Sequence, residues 1–306
     1  MKLSIVATLY RSAPYISEFH ARTSAAARQL VGEDYEIVLV NDGSPDNSLE
    51  LAARLTDSDT HVVVVDLSRN FGHHRAMMAG LKHAKGARIF LIDSDLEEDP
   101  EFLLSFAEQM QERKCDVVYG VQERRKGGWF ERWSGEFFYS AFDRLANIKH
   151  PRNLVTVRLM TRRYVDALLQ FNEHEMVISC LWVITGFEQH EQTIHKHKRP
   201  GTTYTLASKI THAVNAITSF SSAPLNLIFY TGCFIFFASL LYSISIVYQR
   251  FFNQQSIDGW TSLIVSIWLL SGLIILFIGI IGIYLSKIFI ETKHRPTSIV
   301  RRIYGR

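Results

Sequence analysis

The sequence predicts an α/β fold: a mostly parallel sheet with helices on both faces, followed by a C-terminal hairpin of two transmembrane helices. Three observations lead there. Between residues 3 and 114, strand-like runs alternate with helix-period patterns, as in a sheet built from crossover units. The strand-like runs are continuously apolar, as expected of strands covered on both faces. Two further stretches, 225–248 and 261–286, carry no charge, and each exceeds the roughly 20 helical residues that cross a hydrocarbon core.

The elements follow in order. A first strand is expected over 3–9, then a helix over 14–30, with Pro14 suited to a first turn where its missing N–H has no partner to lose. The β-branched run over 36–40 reads as a buried strand that ends in Asn41-Asp42-Gly43-Ser44. A helix over 46–55 leads to a strand over 61–67, which runs into Arg69-Asn70-Phe71-Gly72 and a helix over 73–85. The strand over 87–92 stops at Asp93-Ser94-Asp95, and a helix over 100–114 closes the series.

Residues 1–205 are therefore expected to form a cytosolic domain, 206–224 a juxtamembrane segment, 225–248 and 261–286 the membrane helices, and 287–306 a basic cytoplasmic tail. In the juxtamembrane segment Leu206, Ile210, Ala213, Val214 and Ile217 recur at helical spacing around Lys209 and His212. That pattern fits a helix lying on the membrane surface and, equally, an ordinary packed helix. Lys196, Lys198, Arg199 and Lys209 precede the hairpin, and Lys287, Lys293, Arg295, Arg301, Arg302 and Arg306 follow it. The loop between has Arg250 against Asp258, so the positive-inside rule places both ends in the cytoplasm. The opening apolar run is too short for a signal peptide. The expected location is the inner membrane, multi-pass, with the N-terminal domain on the cytoplasmic side.

A formal net charge of +3 over 306 residues does not argue for a nucleic-acid partner. Cys115, Cys180 and Cys233 have no metal-ligand spacing and are too few for a disulfide framework, which fits buried thiols in a reducing compartment.

In sheets of this kind ligands bind beyond the carboxyl ends of the strands. The polar residues fall there: Thr8 and Tyr10, Asn41 to Ser44, Arg69 to Gly72, and Asp93 to Asp95. In an extended chain Asp93 and Asp95 point the same way, so both can address one cation or its hydration shell. Such oxygen ligands suit Mg²⁺ or Mn²⁺ shared with substrate phosphates. An isolated Asp-Ser-Asp is more often a polar turn, and its company at the strand ends reverses that reading. Neither a Gly-x-Gly-x-x-Gly motif nor a P-loop is present, so dinucleotide oxidoreduction and ATP hydrolysis lose their usual signatures. A nucleoside diphosphate carried on a divalent metal fits best.

The order Asn41-Asp42-Gly43-Ser44-Pro45-Asp46, then Arg69-Asn70-Phe71-Gly72, then Asp93-Ser94-Asp95-Leu96 resembles the inverting family 2 glycosyltransferases of GT-A fold. It is most similar to their branch of bacterial polyprenyl-phosphate glycosyltransferases and dolichol-phosphate mannose synthase, where a C-terminal pair of membrane helices is typical. The resemblance implies that Thr8 and Asp42 hold the nucleotide and that Asp93 contacts the ribose or sugar side. It makes Asp95 the principal metal ligand, with Asp93 beside it. Tyr10, Arg69, Asn70, Gly72 and Ser94 then line the nucleotide-sugar crevice. Arg199-Pro200-Gly201-Thr202-Thr203-Tyr204 is similar to the family's phosphate-binding segment ahead of the membrane, one residue shorter. Assembly into a homo-oligomer, a tetramer, is implied as well.

The chain departs from that pattern in two places. Glu97-Glu98-Asp99-Pro100 stands where the family has Gln-Asp/His-Pro, and Thr156 replaces the acid of its Asp-Phe-Arg-Leu segment. Glu173, His174 and Glu175 occupy the region expected for the acceptor, where a solvated turn is the better reading. A lipid phosphate is ionised near neutral pH and needs positioning more than a base, so Arg158, Lys196 and Arg199 are the candidate acceptor-phosphate donors. A saccharide hydroxyl would need a carboxylate base, for which Glu97, Glu98 and Asp99 are the first candidates.

The reading is a metal-dependent inverting hexosyltransferase that moves a sugar from a nucleotide donor, UDP-linked, to polyprenyl (undecaprenyl) phosphate for the cell envelope. A transferase elongating a lipid-linked saccharide is the alternative. A non-catalytic membrane scaffold that binds nucleotide sugars is the alternative of another class, and intact Asp93 and Asp95 weigh against it. Transport is weaker still, because the two spans contain no intramembrane charge.

Overall fold

The computed structural model describes residues 1–122, 153–173, 176–197, 223–253 and 259–305. The strands are β1 (Leu3–Leu9), β2 (Tyr35–Asn41), β3 (Val62–Leu67), β4 (Arg88–Leu91), β5 (Val117–Gln122), β6 (Leu154–Thr161), β7 (Gln189–Ile194) and β8 (Val300–Tyr304). The helices are α1 (Ile16–Val31), α2 (Ser48–Ser58), α3 (His73–His83), α4 (Phe102–Arg113), α5 (Arg162–Leu168), α6 (Ile178–Ile184), α7 (Ala223–Asn253) and α8 (Trp260–Thr292). The chain divides into two compact units. One contains the sheet, including the C-terminal strand, and the other contains α7 and α8.

The sheet has eight strands in the order β7-β5-β6-β4-β1-β2-β3-β8. Its centre, β4-β1-β2-β3, is parallel throughout, as the unbroken apolar runs predict. Every residue of β1, β2 and β3 is buried, which requires cover on both faces. Mixed pairing is confined to the flanks: β6 runs antiparallel to β4 and β5, and β8 antiparallel to β3. Strand order reverses between β1 and β4, and such a switch point opens a crevice at the carboxyl ends.

Packing brings α3 against that crevice. Gly80 permits the approach: a Cβ there would sit 2.4 Å from Val6 Cγ1 and 2.8 Å from Val40 Cγ2. On the other face Phe106 of α4 meets Phe90 edge-on at a centroid distance of 6.2 Å. Both rings are wholly buried, and each contributes on the order of 1.5–3 kcal/mol by leaving water.

Two differences from the sequence reading concern the ends of elements. Strand β4 stops at Leu91, and Ser94 and Asp95 already lie in a turn, so the carboxylates are brought together by a bend and not by strand alternation. The segment read as a basic tail over 287–306 instead prolongs α8 to Thr292 and then adds β8 to the sheet. Val300, Ile303 and Tyr304 pair with Leu67, Val65 and Val64, while Arg301 faces Asp66 and donates to the Ser68 carbonyl. Pairing hides an edge that β3 would otherwise present to solvent.

Helices α7 and α8 have 31 and 33 residues and extend beyond the apolar stretches 225–248 and 261–286. Within α8, Leu270–Thr292 is long and apolar enough to cross a membrane, and none of its most apolar window is buried. The segment read as amphipathic, 206–224, lies almost entirely outside the described residues.

Candidate active site

Four strand ends meet at the crevice. Gly43, just past β2, has φ +60°, and a Cβ there would lie 2.5 Å from the Asn70 backbone nitrogen. The turn after β2 and the turn after β3 thus touch backbone to backbone, which only glycine permits. Asp42 completes the joint: its carboxylate accepts from the Phe71 N–H at 2.7 Å and the Gly72 N–H at 3.0 Å. Burial pushes this carboxyl above its ordinary range, against those two hydrogen bonds. Asp42 is therefore engaged in building the crevice wall.

From that wall α3 begins, with His73 at its first turn. His73 Nδ1 lies 3.0 Å from Thr8 Oγ1, and Nε2 lies 3.3 Å from Asp93 Oδ1. Burial opposes the imidazolium, but the carboxylates of Asp93, Asp42 and Asp95 outweigh it and hold the ring above its ordinary pKa. Ser94 is buried and turns inward, donating to the Thr8 carbonyl at 2.7 Å and contacting Ser12 Oγ at 2.9 Å. It pins the Asp-Ser-Asp turn to the end of β1. Tyr10, 48% exposed, and the exposed Arg69 and Asn70 line the mouth, where Arg69 lies over the Phe71 ring.

Beyond the turn, Asp95 accepts from the Glu97 N–H at 3.1 Å. Lys196, two residues past β7, places its ammonium 3.0 Å from Glu97 Oε2 and 3.7 Å from Glu98 Oε1. The His197 N–H donates to the Glu97 carbonyl at 2.9 Å, and His197 Nε2 lies 3.2 Å from Asp99. Glu98 is wholly buried, and burial, reinforced by the charge of Asp93, pushes its carboxyl up to about 8. Thr156 lies beside both acids, its side chain toward Asp93 and its backbone toward Glu98.

The family model described as Glycosyl transferase family 2 matches residues 4–169, more than half of the chain. The chain belongs to that family. A Mycobacterium tuberculosis protein is 49% identical over 305 residues, covering 100% of this chain and 89% of its own. The uncharacterized glycosyltransferase YkcC of Bacillus subtilis is 34% identical, covering 100% and 95%. The bactoprenol glucosyl transferase of Shigella phage SfV is 31% identical over 304 residues, covering 98% of each chain. Among solved structures, residues 1–349 of Staphylococcus aureus TarS with UDP-GlcNAc reach a TM-score of 0.48 at 19% identity, over 72% of this chain and 66% of that one.

In this family 2 glycosyltransferase the contacts above link Thr8, Asp42, Gly72, Asp93, Ser94, Asp95 and Glu97, with Tyr10, Arg69 and Asn70 exposed at the ends of β1 and β3. Arg158 is placed differently from a surface phosphate donor. It is 1% exposed, its guanidinium donates to the Thr156 and Val155 carbonyls at 3.1 and 3.3 Å, and its flat face covers Trp182. Burial lowers its pKa to about 9. Arg199 with residues 200–204 and the pair His174 and Glu175 lie outside the described residues.

Reading the sequence alone missed two structural roles. His73, at the start of the helix expected over 73–85, joins two candidate binding residues to each other. Asp46 organises the loop behind them, accepting from Ser44 Oγ and Ser48 Oγ, both at 2.5 Å, and from the N–H groups of Ser48 and Ala13. Those bonds hold its carboxyl down at about 2 despite burial. The Ser44-x-Asp46-x-Ser48 spacing, a side chain bonding its own turn, was the signal available.

Proposed function

We propose that this glycosyltransferase moves a sugar from a UDP-linked donor to polyprenyl phosphate at the cytoplasmic face of a membrane, with inversion and with Mg²⁺ or Mn²⁺. The observation that carries the reading is the end-to-end match, 98% of both chains, with a relative named as a bactoprenol glucosyl transferase. A match of that extent takes in α7, α8 and β8 as well as the sugar-transfer domain.

The residues fit a divalent cation. Asp93 Oδ1 is buried and faces the His73 imidazole, 3.3 Å away, Asp95 is one residue away, and the donors are hard oxygens. No three His, Cys, Asp or Glu side chains among the described residues converge to hold an ion unaided. Asp95 and Asp93 would hold it, and bound there it supplies positive charge to the departing diphosphate. His73 orients Asp93 from the other side, while Tyr10, Arg69 and Asn70 offer a ring, a cation and an amide to the nucleotide. The acceptor phosphate arrives already ionised, so the Arg199 segment has to position it and neutralise it, while Lys196, expected to share that task, is paired with Glu97 and Glu98.

Chain parity supports a hairpin form of membrane anchoring. β8 pairs with β3 in the sheet that precedes α7, so the chain must leave and return on one side. If Leu270–Thr292 of α8 crosses, α7 crosses too, which supports the hairpin and two cytoplasmic flanks.

The test is incubation of detergent-purified protein with Mg²⁺ or Mn²⁺, UDP- and GDP-sugars and undecaprenyl phosphate, beside Asp95→Ala. Labelled sugar should enter the lipid phase with one donor and not with the variant. Donor hydrolysis without lipid labelling would replace this reading with a saccharide acceptor.

A further inference from the structure

The acidic turn is crowded. Asp93, Asp95, Glu97 and Glu98 are four acids within six consecutive positions around one bend, and like charges so close disfavour one another's ionisation. Within ion-pair distance of this group stand the His73 imidazole, 3.3 Å from Asp93, and the Lys196 ammonium, 3.0 Å from Glu97 and 3.7 Å from Glu98. The field of the lysine reaches the others too, for it favours the charged forms of Asp93 and Asp95. In return, although burial opposes the ammonium, Glu98, Glu97 and Asp93 hold the Lys196 pKa above its ordinary value.

The position of Lys196 is built and not incidental. Its neighbour's N–H is bonded to the Glu97 carbonyl at 2.9 Å, fixing the backbone within reach of the turn. A second brace lies at the far end of the acidic segment, where Arg22 bonds Asp99 at 2.6 Å and His197 reaches the same carboxylate. Glu98 has both carboxylate oxygens buried without a hydrogen-bond partner among the described residues, and the Lys196 ammonium lies 3.7 Å from one of them.

We propose that Lys196 is a built-in counter-ion of the Asp93–Glu98 turn that competes with a divalent cation for those carboxylates and, once the cation and the nucleotide are in place, turns to the diphosphate. This rests on the reading of the turn as the metal and donor site. Two positive charges cannot share one cluster without loss, so Lys196 weakens the cation's hold on the empty crevice. A diphosphate reverses the balance, because it brings the negative charge that Lys196 gives up. Cation and nucleotide then bind cooperatively, and a lone cation is held weakly.

The experiment uses the full chain in detergent and measures Mn²⁺ binding by calorimetry without nucleotide, then UDP binding at saturating Mn²⁺. Lys196→Met keeps the stem and removes the charge. Removing one charge at this distance should tighten Mn²⁺ alone on the order of ten-fold and weaken UDP by a similar factor. Lys196→Arg should stay near wild type in both. Lys196→Gln repeats the test should Lys196→Met not fold.

The opposite signs are the signature, since damage to the fold would weaken both ligands. Mn²⁺ affinity unchanged or lowered in both charge-removing variants overturns the proposal, as does Mn²⁺ binding that survives Asp95→Ala. Absence of transfer to any lipid phosphate would sink the proposed function and leave this measurement intact.

Discussion

The imidazole of His73 joins Thr8 to Asp93, with Nδ1 3.0 Å from the hydroxyl and Nε2 3.3 Å from the carboxylate. One side chain from the start of α3 thereby ties the end of β1 to the turn after β4, across the point where strand order reverses. Removing it leaves a partly buried carboxylate without its nearest cation. His73→Ala should lower kcat/KM for the donor by about ten- to a hundred-fold, the equivalent of a lost charge-assisted hydrogen bond. Steady-state kinetics with varied donor checks this, and an unchanged donor KM together with an unchanged kcat would refute it.

Gly43 bears on folding and on binding together. A Cβ would press on the Asn70 backbone nitrogen at 2.5 Å, and φ +60° is strained for any side chain. Gly43→Ala should cost about 1–3 kcal/mol and lower the thermal midpoint, because backbone has to move. It should also weaken UDP, since the Arg69-Asn70-Phe71-Gly72 turn moves with it. Thermal unfolding and UDP binding on the same sample test both halves.

Glu98 makes stability depend on pH with a definite sign. Its carboxyl is raised to about 8 in the folded protein against an ordinary 4.5, with Lys196, Asp93, Asp95 and Arg158 as the charged groups acting on it or lying nearby. Between those values the unfolded chain has released the proton and the folded chain retains it. Stability therefore falls as pH rises through that window and levels off above it. Glu98→Gln is neutral throughout, so its unfolding midpoint should decline less than wild type between about pH 5 and about pH 8. Parallel slopes would show that the acid is ionised in the fold.

Strand β8 is expected to be necessary to the sheet domain. Removing residues 300–306 uncovers the edge of β3 and strips Arg301 from Asp66. A loss of about 2–4 kcal/mol, or roughly 5–15 °C in the midpoint, should follow, with self-association through the bared edge. Melting curves and size-exclusion chromatography report the two effects separately.

The loop of the hairpin and its C-terminal flank should label from opposite sides. With Cys115, Cys180 and Cys233 replaced, Asp258→Cys should react with an impermeant thiol reagent from outside intact spheroplasts. Ser298→Cys, two residues before β8, should react only after permeabilisation. Labelling of Ser298→Cys from outside would break the parity argument.

Much of this protein is legible in its sequence because periodicity reports burial directly. The runs at β1, β2 and β3 are apolar at every step since both faces are covered, and the polar residues cluster where those runs stop. Position along the chain thus named the crevice residues, and length and absence of charge named the two long helices. Partnership between residues far apart was not readable. Lys196 and Glu97 are a hundred positions apart, and only the pairing of β7 beside β5 carries the lysine to the acidic turn. Arg158 looked like a phosphate donor by residue type, yet the register of β6 buries its guanidinium on Trp182. The last five residues of the sheet read as a basic tail because Arg301 and Arg302 dominate their composition, while the open edge of β3 decided their conformation. Residue type and spacing determine which chemistry a segment can support and which face it must hide. Which charges meet is settled by the sheet, whose register sets the distances at which Coulomb forces and hydrogen bonds act.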